Sequence, residues 1–508
     1  MKYRTLSSSV YQNFNNNLSH KFLTRKVNNK WHNLQRFELI NNVNRCRDVL
    51  KYNNIKKGDR IAYKGNNSIE WLSWNLATNS LGGIWVPMYS DQNLDYCNHI
   101  VNDCKPKLFI SDNMDLDIKN TRLISKDTNQ IDTNQIDTNQ IDTNQIDDID
   151  FIYNDISTLI YTSGTTGKPK GVMLSNENIL NNIDNIKLRF PDLENNTSLN
   201  ILPWAHIYSQ TCELYYNLLS SNNKIVLASS REEFIKECRE VKPDVLYVVP
   251  RVLDLIKDKM NILEKPIINN LTPYALSYLF GGKLKTIFTG GAKLNDNTKH
   301  FFKSNNIILC EGYGCTETSP MVSVNHLIEP RKENSIGKIL DDVSVEIVNN
   351  EIQVSGPNIM LGYWNNKNET DKVLIKRDGK IWYKTGDSGC LEDDYLYFDG
   401  RISENYKLSN GKFVNVPEVE SKIKELINGN FIIFGENMEN NNLIVENEID
   451  EYIHKKINSK LDSYLKITKV FKLDKTEFDK FLTPKMSIKR KELVKYVIDN
   501  YQSKDISK

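Results

Sequence analysis

The 508-residue chain has no run of 18 apolar residues, so no transmembrane helix is expected along it. Its first residues, MKYRTLSSSVYQNFNNN, lack the apolar core of a cleaved signal, and its last four, DISK, are not the peroxisomal SKL. A net charge of +1, from 66 basic and 65 acidic side chains, removes any bulk electrostatic argument for nucleic acid or an anionic bilayer. Composition leaves peripheral contact with a membrane surface open. The eight cysteines (Cys46, Cys97, Cys104, Cys212, Cys238, Cys310, Cys315, Cys390) form no CxxC pair and no metal-ligand spacing with the seven histidines. A reduced, cytoplasmic setting is expected.

What is present is organised around Ser157 to Ser175, STLIYTSGTTGKPKGVMLS. Ser157 to Tyr161 is short, apolar and β-branched, as a buried strand should be; Ser175 is placed to cap a helix with Glu177 in its first turn. Between them the sequence predicts a polar loop. Gly164, Gly167 and Gly171 let the backbone pass close to a ligand. The hydroxyls of Thr162, Ser163, Thr165 and Thr166 can donate to phosphate oxygens, and Lys168 and Lys170 add positive charge. A nucleotide polyphosphate is the ligand this chemistry fits. The G-x-x-x-x-G-K-[ST] loop of P-loop proteins is excluded, because Thr162 stands where its first glycine would be and Pro169 follows Lys168.

The stretch resembles the signature loop of the adenylate-forming superfamily, which includes acyl-CoA synthetases, firefly luciferases and nonribosomal peptide adenylation domains. The rest of the chain is consistent with its α/β architecture. Lys57 to Tyr63 reads as a turn feeding a strand, Ser68 to Leu81 as a helix, and Gly82 to Tyr89 as an apolar strand, with Trp71, Trp74 and Trp85 assigned to the core. Strands are predicted at Lys224 to Ala228, Val245 to Val249, Thr286 to Thr289 and Ile307 to Leu309. Helices are predicted at Arg231 to Arg239, Val252 to Met260 and Asn295 to Phe302. Such alternation calls for mostly parallel sheets flanked by helices, with ligands beyond the carboxyl ends of the strands. Between Thr128 and Asp147 the pentapeptide TNQID occurs four times in tandem; so polar a tract is expected to be a disordered surface loop.

Further segments match the superfamily in order. In PWAHIYSQ, the resemblance places His206 against the acyl pocket. TGGA, with Gly291 and Ala292, is a turn suited to an adenine ring. In EGYGCTETS, Tyr313 can stack on adenine beside Gly312 and Gly314, Thr316 can donate to phosphate, and Glu317 is a hard oxygen ligand for Mg²⁺. Asp387 of YKTGD suits the two ribose hydroxyls, and Arg401 the ribose and phosphate side. The resemblance implies a large domain over 1–400, a hinge at 401–403, and a small α+β domain over 404–508 that rotates about it. The family's pivot is Asp or Lys where this chain has Ser403. The LSNGK wording after Lys407 and the LTPKMSIKR run are closest to long-chain fatty acyl-CoA synthetases. The latter places Lys489 on the catalytic lysine, and Lys407 beside the incoming CoA.

The implied activity is ATP-dependent ligation of a long-chain fatty acid to CoA. The carboxylate attacks the α-phosphorus, pyrophosphate leaves, and a thiol then displaces AMP from the acyl adenylate. Two anions must meet, so cations are needed: Mg²⁺, the loop lysines and Lys489. No general base is required, since the nucleophile is already ionised. A medium-chain or aryl acid-CoA ligase, or an adenylation domain loading a carrier protein, is the alternative. Amino-acid-activating domains carry an Asp near Trp204 to Glu213, and this chain has none there. A luciferase-like oxygenase shares the scaffold, while a P-loop kinase fails on motif. No obligate protein partner is called for.

Overall fold

The computed structural model describes residues 5–119, 121–128, 155–163, 169–263, 272–292, 294, 296–327, 331–332, 334–482 and 488–500. The TNQID tract beyond Thr128 and the loop residues Gly164, Thr165, Thr166, Gly167 and Lys168 lie outside them. The chain forms two compact units, one of residues 1–345 and 354–383, the other of residues 346–353 and 384–508.

In the first unit, strand Ile156–Ser163 is followed across a seven-stranded sheet by the parallel strands Ile84–Met88, Arg60–Lys64, Leu108–Ser111 and Arg122–Ser125, in that order. Helix Ile69–Ser80 starts at Ser68, whose hydroxyl accepts the Trp71 N–H at 3.1 Å. It lays Trp71 edge-on against Trp85 (centroids 5.2 Å) and Trp204 (5.6 Å), all fully buried. The tryptophans are core, as expected from their spacing. A second sheet contains six parallel strands, among them Thr197–Asn200, Val245–Val248, Thr286–Gly290 and Ile308–Gly314. Helices Phe234–Val241, Pro250–Leu263 and Asp296–Ser304 alternate with these strands. The α/β reading of the sequence therefore stands.

Two local expectations change. The phosphate loop does not lead from a strand into a helix: a second strand, Pro169–Ser175, intervenes and pairs antiparallel with Ile156–Ser163, Thr162 opposite Lys170. The two strands form an antiparallel pair, and helix Asn176–Arg189 starts only after the second, capped reciprocally by Ser175 and Asn178. The second change is at Ile307 to Leu309, where the strand runs on to Gly314 because neighbours on both sides, Thr286–Gly290 and Met321–Val324, satisfy its backbone.

The second unit holds the antiparallel pairing of Lys384 to Glu392 with Tyr395–Arg401, and a three-stranded sheet of Phe431–Phe434, Asn441–Val445 and Ile467–Lys472. Helix Val416–Ile423 packs so closely on the first pair that a Cβ on Gly400 would lie 2.0 Å from Pro417. The expected hinge residues 401–403 accordingly fall inside this unit, with Ser403 exposed in the short turn Ile402–Glu404. Among the described residues no helix is long and apolar enough to cross a membrane.

Glu213 is fully buried on a π-helical segment, Ser209–Tyr215, where its carboxylate accepts from Asn200 Nδ2 (2.6 Å) and Ser209 Oγ (3.2 Å). Burial raises its pKa to about 7, with these hydrogen bonds partly opposing the rise. A raised pKa favours the protonated folded state, so this contribution is complete below the ordinary value of 4.5 and is lost as pH rises through about 7. Glu213→Gln is expected to remove that component from the pH dependence of the urea midpoint between these two values, with the largest gain over wild type at the upper end.

Candidate nucleotide site

Within the first unit the candidate residues come from segments that the sheets bring to one region. Strands Thr286–Gly290 and Ile308–Gly314 are parallel and in register, Thr289 opposite Glu311 and Gly290 opposite Gly312, so both carboxyl ends reach the same edge. Gly291 follows at φ +82° with open space where a Cβ would be; conformation, not room, calls for glycine there. Gly291 and Ala292 are exposed. Glu311 is engaged elsewhere: it pairs with Lys299 (2.7 Å) and accepts the Leu294 N–H (3.1 Å).

Tyr313 and Gly314 finish the second strand. A Cβ on Gly314 would stand 1.7 Å from the Pro320 carbonyl oxygen, because the chain folds straight back into strand Met321–Val324. Between them the turn Thr316–Thr318 carries a buried Thr316 and a half-buried Glu317, closed by the Cys315 N–H donating to Thr318 Oγ1 at 3.0 Å.

The segment after residue 359 stitches this turn to the hairpin. Met360 N–H donates to the Glu317 carbonyl (2.9 Å), Gly362 and Tyr363 pair with Met173 and Val172, and Trp364 N–H donates to the Gly171 carbonyl (2.7 Å). Tyr363 Oη then donates to Glu317 Oε1 at 2.9 Å, while its ring centre lies 5.2 Å from the Lys170 ammonium. The same ammonium is ion-paired with Glu369. Burial first, and then the Glu317 charge, push the Tyr363 hydroxyl far above its ordinary pKa, so it remains a donor. Hydrogen bonds from Lys170 and then Lys372 bring the Glu369 carboxyl down to about 2. Sequence reasoning singled out Lys170 and Glu317 but missed Tyr363 and Glu369. They sit in an asparagine-rich stretch, GYWNNKNET, with no local sign of pairing to a strand some 190 residues earlier.

His206 lies in a bend immediately before a helical segment. Its Nδ1 accepts the Tyr208 N–H at 3.2 Å, and its carbonyl accepts the Gln210 N–H at 2.9 Å. Just beyond it Tyr208 lines a narrow apolar slot with Phe190, Tyr216, Tyr247, Phe288 and Met321. Tyr247 and Phe288 stack there at 5.3 Å.

In the second unit Asp387 and Arg401 are cross-strand partners, with Arg401 Nε 2.9 Å from Asp387 Oδ1 and the carboxylate buried. Lys489 is fixed through its backbone, donating to the Phe481 carbonyl at 2.7 Å beside a bridge between Leu482 and Ile488. Its ammonium lies 3.4 Å from Glu492, and the neighbouring Arg490 is doubly paired with Glu420. Lys407 is exposed opposite Phe413 in a short antiparallel pair.

Among the described residues no three His, Cys, Asp or Glu side chains are grouped to hold a metal ion. A single carboxylate is nonetheless what magnesium asks for when phosphates supply the remaining oxygens. Glu317 fits that demand.

The family model for AMP-binding enzymes matches residues 17–364, and the chain belongs to that family. The long-chain-fatty-acid–CoA ligase FadD15 of Mycobacterium bovis is 22% identical over 473 residues, 82% of this chain and 78% of that protein. The long-chain-fatty-acid–CoA ligase of Bacillus subtilis is 31% identical over 288 residues, 54% of this chain and 48% of that protein. Among solved structures, ATP-bound MatB from Rhodopseudomonas palustris has a TM-score of 0.81 at 20% identity, covering 98% of this chain and 100% of that one. At that identity the likeness establishes the fold.

Gly314→Ala is expected to displace Tyr313 and Glu317 while leaving the fold intact by circular dichroism. A shift of about 1 Å at such a site costs on the order of 100-fold in rate, to be read as ATP/pyrophosphate exchange.

Proposed function

We propose that this chain is an ATP-dependent acid–thiol ligase that joins a long-chain fatty acid to CoA through an acyl adenylate. The observation that carries the reading is the chain of contacts from Glu317 through Tyr363 to Lys170, which links the adenine-side turn to the base of the phosphate hairpin. A triphosphate gripped by residues 162–170 would have its charge met by Lys170 and by the residues outside the described set, Thr165, Thr166 and Lys168. Tyr313 would stack on adenine, with Gly291, Ala292, Gly312 and Gly314 leaving it room, and Thr316 would donate to phosphate. Glu317 would hold magnesium, which when bound screens the phosphate charges. Asp387 would accept both ribose hydroxyls, with Arg401, its ion-pair partner, at the ribose and phosphate side.

The acid carboxylate is already ionised and needs no base. It forms a bond to the α-phosphorus as the bond to pyrophosphate breaks. Lys489 would offset the repulsion between the two anions at that moment. The CoA sulfur, as thiolate, then displaces AMP; Lys407 belongs to that step, with rotation of residues 404–508 about Ser403 between the halves. What supports an apolar tail on the acid is the character of the side chains gathered around Tyr208, aromatic and aliphatic with no carboxylate among them, although they close together here and would have to part to admit a chain. What supports a long chain is the LSNGK and LTPKMSIKR wording, together with the naming of the relatives.

The reading is tested by carboxylate-dependent ATP/pyrophosphate exchange with acids from acetate to C18, followed by CoA consumption. Exchange that rises toward the long acids is expected, and no exchange with any acid overturns the ligase reading. Lys489→Ala is expected to lower adenylate formation by roughly 10² to 10³, ~3–4 kcal/mol, and to spare thioester formation from preformed acyl adenylate. Equal losses in both halves with the fold intact would refute the role given to Lys489.

A further inference from the structure

A magnesium site with one protein carboxylate has an orientation problem. Magnesium tolerates little departure from octahedral geometry, and among the described residues Glu317 is the one carboxylate that the ligase reading assigns to it. Glu317 sits on a turn of three residues, half-buried, with a side chain whose torsions its own backbone does not fix. Something else must set the plane of the carboxylate, and one contact does so.

We propose, resting on the ligase reading above, that Tyr363 is a positioning residue for magnesium: its hydroxyl fixes one oxygen of the Glu317 carboxylate and thereby the direction of the other. The bond is 2.9 Å, and Tyr383 is hydrogen-bonded to the same hydroxyl, so the donor is itself oriented. The ring is not free to swing. Its backbone pairs with Val172 of the hairpin, its side chain is 7% exposed, and the Lys170 ammonium, tethered by Glu369, lies over its face. The turn is held to the same segment by Met360 N–H on the Glu317 carbonyl. One short segment, 360–363, thus fixes both the main chain and the side chain of Glu317. Outer partners of this kind typically change metal affinity by about 10- to 100-fold when removed.

A packing role alone would also make Tyr363 matter, so the test separates packing from metal geometry. Tyr363→Phe keeps the ring, the strand pairing and the Lys170 contact, and removes only the hydroxyl. In the full-length, ATP-saturated protein, Mn²⁺ titration followed by electron paramagnetic resonance is expected to show binding weakened about tenfold. ATP affinity in EDTA should stay within about twofold of wild type, since no metal is then in play. Adding Tyr363→Phe to Glu317→Gln should cost nothing further. Unchanged Mn²⁺ affinity in Tyr363→Phe overturns the proposal and leaves the ligase reading standing, as does an equal loss of ATP affinity in EDTA. Wild-type ATP binding indifferent to Mn²⁺ overturns the proposal together with the metal assignment beneath it. If Tyr363→Phe does not fold, Tyr383→Phe carries the test, with a weaker loss of Mn²⁺ affinity expected and no loss overturning it.

Discussion

Backbone hydrogen bonds that no single segment can satisfy by itself are what assemble the first unit's site. Strand Pro169–Ser175 is covered on one side by Ile156–Ser163, and its other side is completed by Gly362 and Tyr363, with Trp364 closing onto Gly171. A buried N–H or carbonyl left unpaired is costly, so these pairings are obligatory and the segments have little latitude. From them follows the rest: Tyr363 is aimed at Glu317, and Lys170 is set over an aromatic face.

Charge is distributed along this frame in alternation. Glu369, Lys170, the Tyr363 ring and Glu317 follow one another, so that the cation at the base of the loop is compensated and the carboxylate on the turn is hydrogen-bonded. The second unit repeats the pattern with other residues. Asp387 is neutralised by Arg401 across a strand pair, and Arg490, next to Lys489, by Glu420. Buried charges tolerate burial only when paired in this way. The apolar slot lined by Tyr208, Tyr247 and Phe288 has no charged side chain in its walls.

Much of this was legible in the sequence, for reasons particular to each element. Ser68 and Ser175 announce helices because a short hydroxyl side chain satisfies N–H groups at a helix start, and both do so. The tryptophans near residue 71 read as core because no other place accepts three indoles so close in sequence. The hairpin strand Pro169–Ser175 was not legible as a strand: PKGVMLS has a proline, a glycine and a lysine in its first half, and its β character comes from the neighbours it pairs with. The extension of the Ile308–Gly314 strand was hidden for the same reason, since glycines at 312 and 314 argue locally against a strand.

The sequence by itself determined the alternation of strands and helices, the glycine and hydroxyl chemistry of the loop, and the residue types that nucleotide chemistry requires. Those are properties of short stretches, where side-chain size, spacing and φ preference act over a few residues. Only the tertiary structure decided that Tyr363 meets Glu317, that Glu369 holds Lys170, and that Arg401 pairs with Asp387. Contacts between residues far apart in the chain depend on sheet order and register, which no local preference encodes.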